Sequence, residues 1–544
     1  MNKENKKKSS LLRSGVSLSF LTLGSRVMGL IREMTKAAFL GTTVLGDAFT
    51  FAFQLPNLFR RLFAENSISV AFIPTFRQYL ENEQQDDAQP GTDIRQRETR
   101  EFVSATFTLV SFLTTVLTVI CMLAAPLYIP LFTESTDPAV QSEMVLLTRI
   151  MFPYLIVISA AAFFQGILNG IKIFAPSGFT PILFNLIVIV ATYILSPYTA
   201  NPARAMSIGV ITGGTVQALF QLPFVIRNGW KLRFTGLKAA FTNPGTRKVI
   251  ALIGPTIIGM AAYQLNDLVS MGLAGRAGVG IQSSLSYSLR LQELILGIFA
   301  VSISTVILPD LTGYAQKKDF DRFNELLTTA IRIMVFISIP VTAFSLVTGE
   351  NIIRLVYQSR TFTDESVALT FDAFKWHIAG LVFIALNRIL APAFYSRSNT
   401  KSPTVAGLFN FFTNMVLAAI LARPMKGAGI ALALSAASAV NTVALFIFMK
   451  KEKFSGVSEL VKTTVFYSLR MVLLSAVAAV PTYFIRQPLL NAFAGHNRFI
   501  SQGVPLAVMG LVFAGTGIIL MILTRDPLIR QGRNLLKSRR NKSN

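Results

Sequence analysis

Long apolar runs recur along the whole chain, and each one is ended by charged residues, glycine or proline. A helix needs about 20 apolar residues to cross a bilayer, and the runs reach or exceed that length. The pattern therefore predicts fourteen membrane-spanning helices. They cover residues 12–40, 46–76, 102–132, 145–170, 177–197, 205–227, 247–274, 282–313, 323–349, 367–396, 402–422, 428–449, 463–485 and 500–524.

Composition agrees with a membrane protein. The chain has 544 residues, of which 52% are hydrophobic and only 14% are charged, and its mean hydropathy is +0.54. A soluble chain carries about 25% charged residues. The sequence is therefore predicted to fold as an all-α polytopic membrane protein.

The net charge of +24 indicates how the chain is oriented in the membrane and does not by itself indicate nucleic-acid binding. Such a charge on a soluble domain would suggest nucleic-acid binding. Here most Lys and Arg side chains outside the spans fall in loops on one side of the predicted membrane, which is the pattern of cytoplasmic loops. Both termini are therefore predicted to be cytoplasmic, and no nucleic-acid partner is expected.

The chain also contains an internal repeat. A Ser-Ile-Ser sequence followed by proline occurs in residues 67–74 and again, with the same spacing, in residues 302–309. A Phe-Asn pair follows Lys172 and Arg397 at equal distances. Both matches are offset by six spans, which indicates a parallel duplication. Two parallel six-helix bundles plus two C-terminal helices are predicted, with the substrate cleft between the bundles.

This duplication predicts a division of the chain into five parts. The loop between the lobes mixes aromatic and basic residues, and it is either a short interfacial amphipathic helix or an ordinary solvated loop. The basic tail is expected to lie against anionic membrane lipids. The parts are an N-terminal lobe (1–228), the cytoplasmic loop (229–246), a C-terminal lobe (247–450), helices thirteen and fourteen (451–525) and the tail (526–544).

Charged and strongly polar side chains inside the predicted spans are the candidates for substrate binding. An ionisable group in a span costs about 3 kcal/mol on insertion scales, so it usually faces a partner or a water-filled cavity. Arginine keeps its proton and binds phosphate oxygens in bidentate geometry, so a cluster of arginines could hold a diphosphate. Mutual ion pairing, for example of Arg60 or Arg61 with Glu65, is the alternative. The candidates are Arg26, Arg32, Asp47, Asn57, Arg60, Arg61, Glu65, Arg290 and Arg388.

No arrangement typical of an enzyme stands out in the sequence. The two histidines are far apart, there is one cysteine, and no phosphate-binding loop of the Walker type is found. No cofactor is expected, and an ion gradient or the membrane potential would drive transport unless transport is passive. Asp267, Asn410 and Asn414 supply oxygen ligands that suit sodium. Hydrogen bonding between helices by the two asparagines is the alternative.

Five segments carry a family resemblance. They are SRVMGLIRE at residues 25–33, DAF at 47–49, PNLFRRLFAE at 56–65, YSLRLQE at 287–293 and LAPAFYSR at 390–397. Together they resemble the MurJ (MviN) family, the lipid II flippases of the multidrug/oligosaccharidyl-lipid/polysaccharide exporter superfamily. The similarity extends over nearly the whole chain.

The resemblance implies a protein of the bacterial inner membrane that moves lipid II, an undecaprenyl-diphosphate-linked peptidoglycan precursor, outward by alternating access. A monomer is expected, because nothing in the sequence requires more than one chain. It implies that Arg26, Arg32, Arg60 and Arg290 contact the headgroup in a central cavity, and that Asp47 and Glu65 act in the cavity or gate. Helices thirteen and fourteen would guide the lipid tail. Leu289 and Asn414 stand where the family often has Asp, and the second departure weakens the case for sodium coupling.

Three other functions are compatible with a polytopic helical chain. A flippase for another undecaprenyl-linked glycan is the nearest to the first interpretation. A drug exporter of the same superfamily would favour an acidic, aromatic cavity, which the arginines argue against. A membrane scaffold that does not transport would tolerate replacement of the buried arginines, and an enzyme acting on polyprenyl lipids would need an acid/base or metal set.

Overall fold

The computed structural model of the chain describes residues 3–62, 68–85 and 92–529, and all regular elements in these ranges are helical. A π-helical segment, Ile68–Phe72, precedes α3, and short 3-10 segments follow α4 and α7. The α-helices are α1 (Lys3–Leu40), α2 (Val44–Phe59), α3 (Ile73–Gln85), α4 (Thr92–Tyr128), α5 (Pro138–Met151), α6 (Tyr154–Gly170), α7 (Ala175–Leu195), α8 (Pro202–Arg227), α9 (Leu237–Thr242), α10 (Pro244–Gly275), α11 (Ile281–Gln316), α12 (Phe320–Tyr357), α13 (Asp364–Ala379), α14 (Leu381–Tyr395), α15 (Lys401–Lys451), α16 (Val457–Ala492) and α17 (Arg498–Leu523).

The all-helical membrane fold predicted from the sequence is confirmed. Within the described ranges, eight helices are long and apolar enough to cross a membrane by length and composition, and α13 with α14 forms a further, bent candidate. Each of the fourteen predicted spans overlaps a described helix. The count of fourteen crossings itself stays a prediction, as do the five predicted parts of the chain.

Two predicted spans are broken helices. Residues 145–170 contain α5 and α6, which meet at Pro153. Residues 367–396 contain α13 and α14, which are bent by 42° at Gly380. Glycine is needed at that bend because a Cβ atom there would lie 2.5 Å from the Cβ atom of Ser435. Breaks of this kind free backbone groups that neighbouring helices must satisfy.

The opposite difference occurs in α15. The predicted spans 402–422 and 428–449 follow one another as a single long element, Lys401–Lys451, with no separate loop. The two helical parts are joined at Lys426, whose backbone is non-helical with φ 50° and ψ −130°. Pro424 lies two residues earlier and limits helix continuation there.

The chain divides into two compact units, one ending at Ser283 and the other beginning at Ser284. The core of the first unit contains a cluster of phenylalanines that are fully buried. The ring of Phe72 lies 5.4 Å from that of Phe76, 5.7 Å from that of Phe102 and 4.6 Å from that of Phe163. These contacts fix the π-helical segment and α3 against α4 and α6.

In the second unit, a polar network joins α12 to α16. The Glu350 carboxylate accepts hydrogen bonds from Arg354 at 3.0 Å and from Arg486 at 3.0 Å. Arg486 also donates to the Asn351 side chain at 2.8 Å. The opposite faces of α16 and α17 are apolar and exposed, with Phe466, Phe484 and Leu511 each more than 70% accessible. Faces of that kind suit contact with lipid chains.

Candidate functional site

The first candidate residues lie on α1, where two cations share one buried carboxylate. Arg32 Nη2 donates to Glu33 Oε1 at 2.7 Å, and Lys36 Nζ lies 3.5 Å from Glu33 Oε2. Lys36 also donates to the Thr50 hydroxyl of α2 at 3.3 Å. The Glu33 and Lys36 side chains are each 6% exposed. Arg32 and Lys36 therefore share the Glu33 carboxylate in this part of unit 1.

Aromatic rings hold the Arg32 guanidinium between two other helices. Its central carbon lies 5.7 Å from the ring centroid of Phe53 on α2 and 5.7 Å from that of Phe184 on α7. Such contacts contribute about 0.5–2 kcal/mol and leave the N–H edges of the guanidinium available for oxygen acceptors. Arg32 is thus fixed in direction by these two rings and by its ion pair with Glu33.

Arg26 lies farther towards the start of α1 and is half-buried. Within the described part of the chain it makes no hydrogen bond or ion pair. The helix around it is held by α7, since Asn185 Nδ2 donates to the Ser25 carbonyl at 3.5 Å and to the Pro181 carbonyl at 2.9 Å. The α1 segment therefore carries Arg26 on a backbone held by α7, with no ion-pair partner in the described ranges.

Asp47 caps the start of α11. Its carboxylate accepts hydrogen bonds from the Gly280 N–H at 2.6 Å, from the Ser283 N–H at 2.8 Å and from the Ser283 hydroxyl at 2.7 Å. A carboxylate at a helix N-terminus satisfies unpaired N–H groups and interacts favourably with the helix dipole. All three contacts lie within unit 1.

The end of α2 pairs two residues that the sequence assigned to different sites. Asn57 Oδ1 accepts from Arg60 Nε at 3.0 Å, and both are half-buried. Arg61 Nη1 lies 3.6 Å from Asp267 Oδ2 of α10, with about a third of each side chain exposed. Glu65, the expected partner of these arginines in the alternative of mutual pairing, lies outside the described residues. The ion pair found here joins α2 to α10 instead.

In the second unit, Arg290 forms an ion pair along its own helix. Arg290 Nη1 donates to Glu293 Oε2 at 2.8 Å, and the two side chains are 42% and 52% exposed. An ion pair of this exposure contributes little stability and can be exchanged for another anion. Arg388 lies on the exposed side of α14.

The three residues proposed to bind sodium are divided between the units. Asp267 is in the first unit and carries the contact with Arg61. Asn410 and Asn414 lie one turn apart on α15 in the second, and Asn414 is buried. In the described ranges, no group of three His, Cys, Asp or Glu side chains is placed to hold a metal ion. The sodium site stays a prediction.

Sequence reasoning did not assign Lys36 or Glu33 to the site. A signal for them was present, because Glu33 and Lys36 are spaced i, i+3 and follow Arg32 on a single helix. The partners of Asp47 carried no such signal. Gly280 and Ser283 are far from Asp47 in sequence and meet it only through tertiary packing.

Comparison with known proteins agrees with these features. A family model described as lipid II flippase MurJ matches residues 36–501. A relative from Treponema pallidum (strain Nichols), named probable lipid II flippase MurJ, is 48% identical over 96% of this chain and 97% of its own length. A relative of the same name from Vibrio cholerae serotype O1 is 33% identical over 86% of this chain and 87% of its own length.

Solved structures show the same fold. A lipid II flippase MurJ in an inward closed conformation matches with a TM-score of 0.75 at 24% identity, over 94% of this chain and all of that one. An inward-facing multidrug-resistance MATE transporter of the MOP superfamily matches with a TM-score of 0.61 at 14% identity, over 82% of this chain and 99% of that one. Because the family model covers most of the chain and a relative is nearly half identical over almost all of it, the chain belongs to the MurJ lipid II flippase family.

Proposed function

We propose that this protein moves lipid II from the inner to the outer leaflet of the bacterial cytoplasmic membrane by alternating access. The names of its relatives support the substrate. The observation that carries the proposal is the set of three cations on α1. Arg26 makes no ion pair within residues 3–62, 68–85 and 92–529, and Arg32 and Lys36 share Glu33. A diphosphate is the part of lipid II that needs such a surface.

The proposed chemistry is binding without bond breaking. Moving a dianion through a region of low dielectric constant is expensive unless fixed cations replace its hydration. Arginine side chains held by aromatic rings can do this without changing protonation. Arg26 and Arg32 in unit 1 and Arg290 in unit 2 are the residues we assign to the diphosphate and the adjoining sugar. We propose that the protein acts as a monomer and that it is a transporter, not an enzyme.

We propose that the membrane potential assists this movement. A potential that is negative inside contributes about 2.3 kcal/mol per elementary charge per 100 mV to the outward movement of an anion. Sodium bound by Asp267, Asn410 and Asn414 is a second coupling proposal. The two proposals predict different results. Collapse of the membrane potential should slow transport if the potential drives it, and removal of sodium should slow transport if sodium drives it.

Replacement of the cations should abolish function. In a strain depleted of its own lipid II flippase, wild type should restore growth, whereas Arg26→Ala, Arg32→Ala and Arg290→Ala should not. Each lost charge-assisted hydrogen bond weakens headgroup binding by roughly tenfold to a hundredfold. Arg322→Ala, at an exposed ion pair with Asp319, is the matched control.

Membrane levels must be equal in all strains. Rescue by the three alanine variants at wild-type level would show that the arginines are structural and that the assigned headgroup site is wrong. Failure of a well-inserted wild type to rescue would refute lipid II as the substrate and point to another undecaprenyl-linked glycan. Labelling of lipid II at the outer surface of the same cells measures translocation directly.

A further inference from the structure

The C-terminal end of α13 is bound by side chains from three other helices. The last carbonyl groups of a helix lack the N–H partners of a continuous helix. At the end of α13 the Gly380 N–H contacts the carbonyl groups of residues 376 and 378, and all three carbonyl groups of residues 376, 377 and 378 also have side-chain donors. Each of the three accepts a hydrogen bond from a side chain of a different helix. The donors are Ser435 of α15 at 2.6 Å, Gln292 of α11, and Thr342 of α12 at 3.0 Å.

His377 contacts α11 twice. Its carbonyl oxygen accepts from Gln292 Nε2, and its ring nitrogen Nδ1 shares a hydrogen bond of 2.6 Å with the Ser288 hydroxyl. His377 is 1% exposed, Ser288 is fully buried and Gln292 is 2% exposed. These contacts are shielded from water, so losing one of them leaves a buried polar group unsatisfied.

The position of these contacts on α11 determines where Arg290 lies. Successive residues of an α-helix are 100° apart, so Ser288 and Gln292 share one face and Arg290 lies roughly 160° from each of them. Glu293, the ion-pair partner of Arg290, lies about 60° from it. The exposures agree, since Arg290 and Glu293 are 42% and 52% accessible whereas the His377-bound face is buried.

We propose that His377 is a positioning residue for Arg290. It holds the rear face of α11 by Ser288 and Gln292, and it thereby sets the rotation of the helix that presents Arg290 and Glu293 on the opposite face. The inference rests on the proposed function only in assuming that Arg290 binds the lipid II headgroup. The geometric part concerns unit 2 alone and can be tested without substrate.

The test compares substitutions that keep or remove the hydrogen-bonding group at the Nδ1 position. Asparagine places an amide there, which can donate or accept, whereas the amide of glutamine lies one atom farther out and phenylalanine has none. His377→Asn, His377→Gln, His377→Phe and Ser288→Ala are made in a background that contains Cys121→Ala and Arg290→Cys. The rate at which a water-soluble thiol reagent modifies the cysteine at 290 reports the direction of that face. Glu459→Cys, in the exposed first turn of α16, is the control for reagent access.

His377→Phe, His377→Gln and Ser288→Ala should each change the modification rate at 290 by about two- to tenfold, the range that corresponds to one hydrogen bond. His377→Asn should leave that rate near wild type, and the rate at 459 should not respond. The combination of His377→Phe with Ser288→Ala should act no more strongly than either change alone. Equal rates in all variants, or an asparagine variant that behaves like phenylalanine, would overturn the proposal.

The same four substitutions are then made in the protein that retains Arg290, and rescue of the depleted strain is scored. Loss of rescue in the variants that shift position 290, with rescue kept in His377→Asn, supports the positioning role in transport. A shift at 290 without loss of rescue supports the geometric inference and contradicts the role of Arg290 in the proposed function. Ser288→Ala removes a single oxygen, so it keeps the test valid if the larger change at 377 impairs folding.

Discussion

Asp47 can be identified as a special residue from the sequence, but its contacts cannot. Its place inside an apolar run indicated a special role, and the family resemblance implied one in the cavity or gate. The structure places its carboxylate on three hydrogen-bond donors at the start of α11. The acid in α2 therefore stabilises the N-terminus of the helix on which Arg290 lies.

Replacing Asp47 should destabilise the protein measurably. In Asp47→Ala all three donors lose their acceptor, and in Asp47→Asn the negative charge at the helix N-terminus is lost while one acceptor oxygen remains. We expect a loss of about 1–3 kcal/mol for alanine and less for asparagine. Thermal unfolding of the purified protein in detergent is monitored by loss of the monodisperse peak. It ranks the stability of wild type, Asp47→Asn and Asp47→Ala.

Asp321→Asn is the matched control, because Asp321 is an exposed acid in the first turn of α12. Its substitution should leave the unfolding temperature unchanged within error. An Asp47→Ala variant as stable as wild type would show that the cap contributes nothing to folding. In that case any effect on growth would have to come from the transport cycle.

Arg61 and Asp267 make the same point in a different way. Each is an ionisable side chain in an apolar run, which is the signal for a functional site. The sequence placed one with the substrate and the other with sodium, because nothing in their spacing relates α2 to α10. Packing brings the two charges to 3.6 Å. Charge can be identified from sequence, but the partner of a charge depends on tertiary contacts.

At the scale of elements, hydrophobic periodicity predicted where helices form better than where they break. Proline marks some breaks, such as Pro153 between α5 and α6. Glycine marks the bend at Gly380, but the close approach of Ser435 that requires glycine there comes from tertiary packing. Side chains of three neighbouring helices donate to the carbonyl groups before that bend.

The loop between the predicted lobes has two interpretations, an interfacial helix or a solvated loop, and the contacts of α9 make the choice testable. Ala240 is fully buried against Ala105 and Leu109 of α4. These lie four and eight residues beyond Glu101, which is roughly 6–12 Å deeper along the helix. Phe241 stays 41% exposed at that level. If the bilayer begins near residue 102, where the third predicted span starts, this depth corresponds to the boundary between headgroups and acyl chains.

A tryptophan at position 241 should therefore be quenched by lipid. Phe241→Trp is combined with Trp230→Phe and Trp376→Phe, so that it is the only tryptophan in the chain. In proteoliposomes we expect strong quenching by lipids brominated near the headgroup and weak quenching by aqueous iodide. The control is Phe499→Trp in the same background, at an exposed position in the first turn of α17. Strong iodide quenching at 241 with no bromine effect would favour the solvated loop.

At the scale of the whole molecule, orientation is the clearest quantity that the sequence predicts. The last turn of α15 and the segment that follows it carry Lys450, Lys451 and Lys453, whereas the segment between α16 and α17 carries no lysine. Positively charged loops stay in the cytoplasm. The first segment is thus predicted to be cytoplasmic and the second to face outward.

Cysteine labelling tests this orientation. In a Cys121→Ala background, His496→Cys should react in intact spheroplasts with a maleimide that does not cross membranes. Lys453→Cys should react only after the membrane is opened. The reverse pattern would show that the chain is inserted with its termini outside. Equal labelling of both cysteines without permeabilisation would indicate leaky cells. Retention of a cytoplasmic marker enzyme shows that the cells are intact.

The sequence by itself determined that the chain lies in lipid, that its elements are helices and which charged side chains are available for binding. Apolar runs with few charges can satisfy their backbone groups in lipid only as helices, so the all-helical fold followed from composition and periodicity. The same reasoning singled out Arg26, Arg32 and Arg290, because a charge in an apolar run is expensive and needs a reason. Each of these inferences needs only a residue and its neighbours in sequence, so the amino-acid sequence contains all the information they use.

Only the tertiary structure decided which groups meet. The three donors to Asp47, the pairing of Arg61 with Asp267 and the contact of His377 with Ser288 all join residues that are distant in sequence. Such contacts depend on how helices cross and rotate, and those quantities are set by the packing of many side chains at once. A one-dimensional pattern shows that a side chain requires a partner, but the identity of that partner is fixed only when the helices pack.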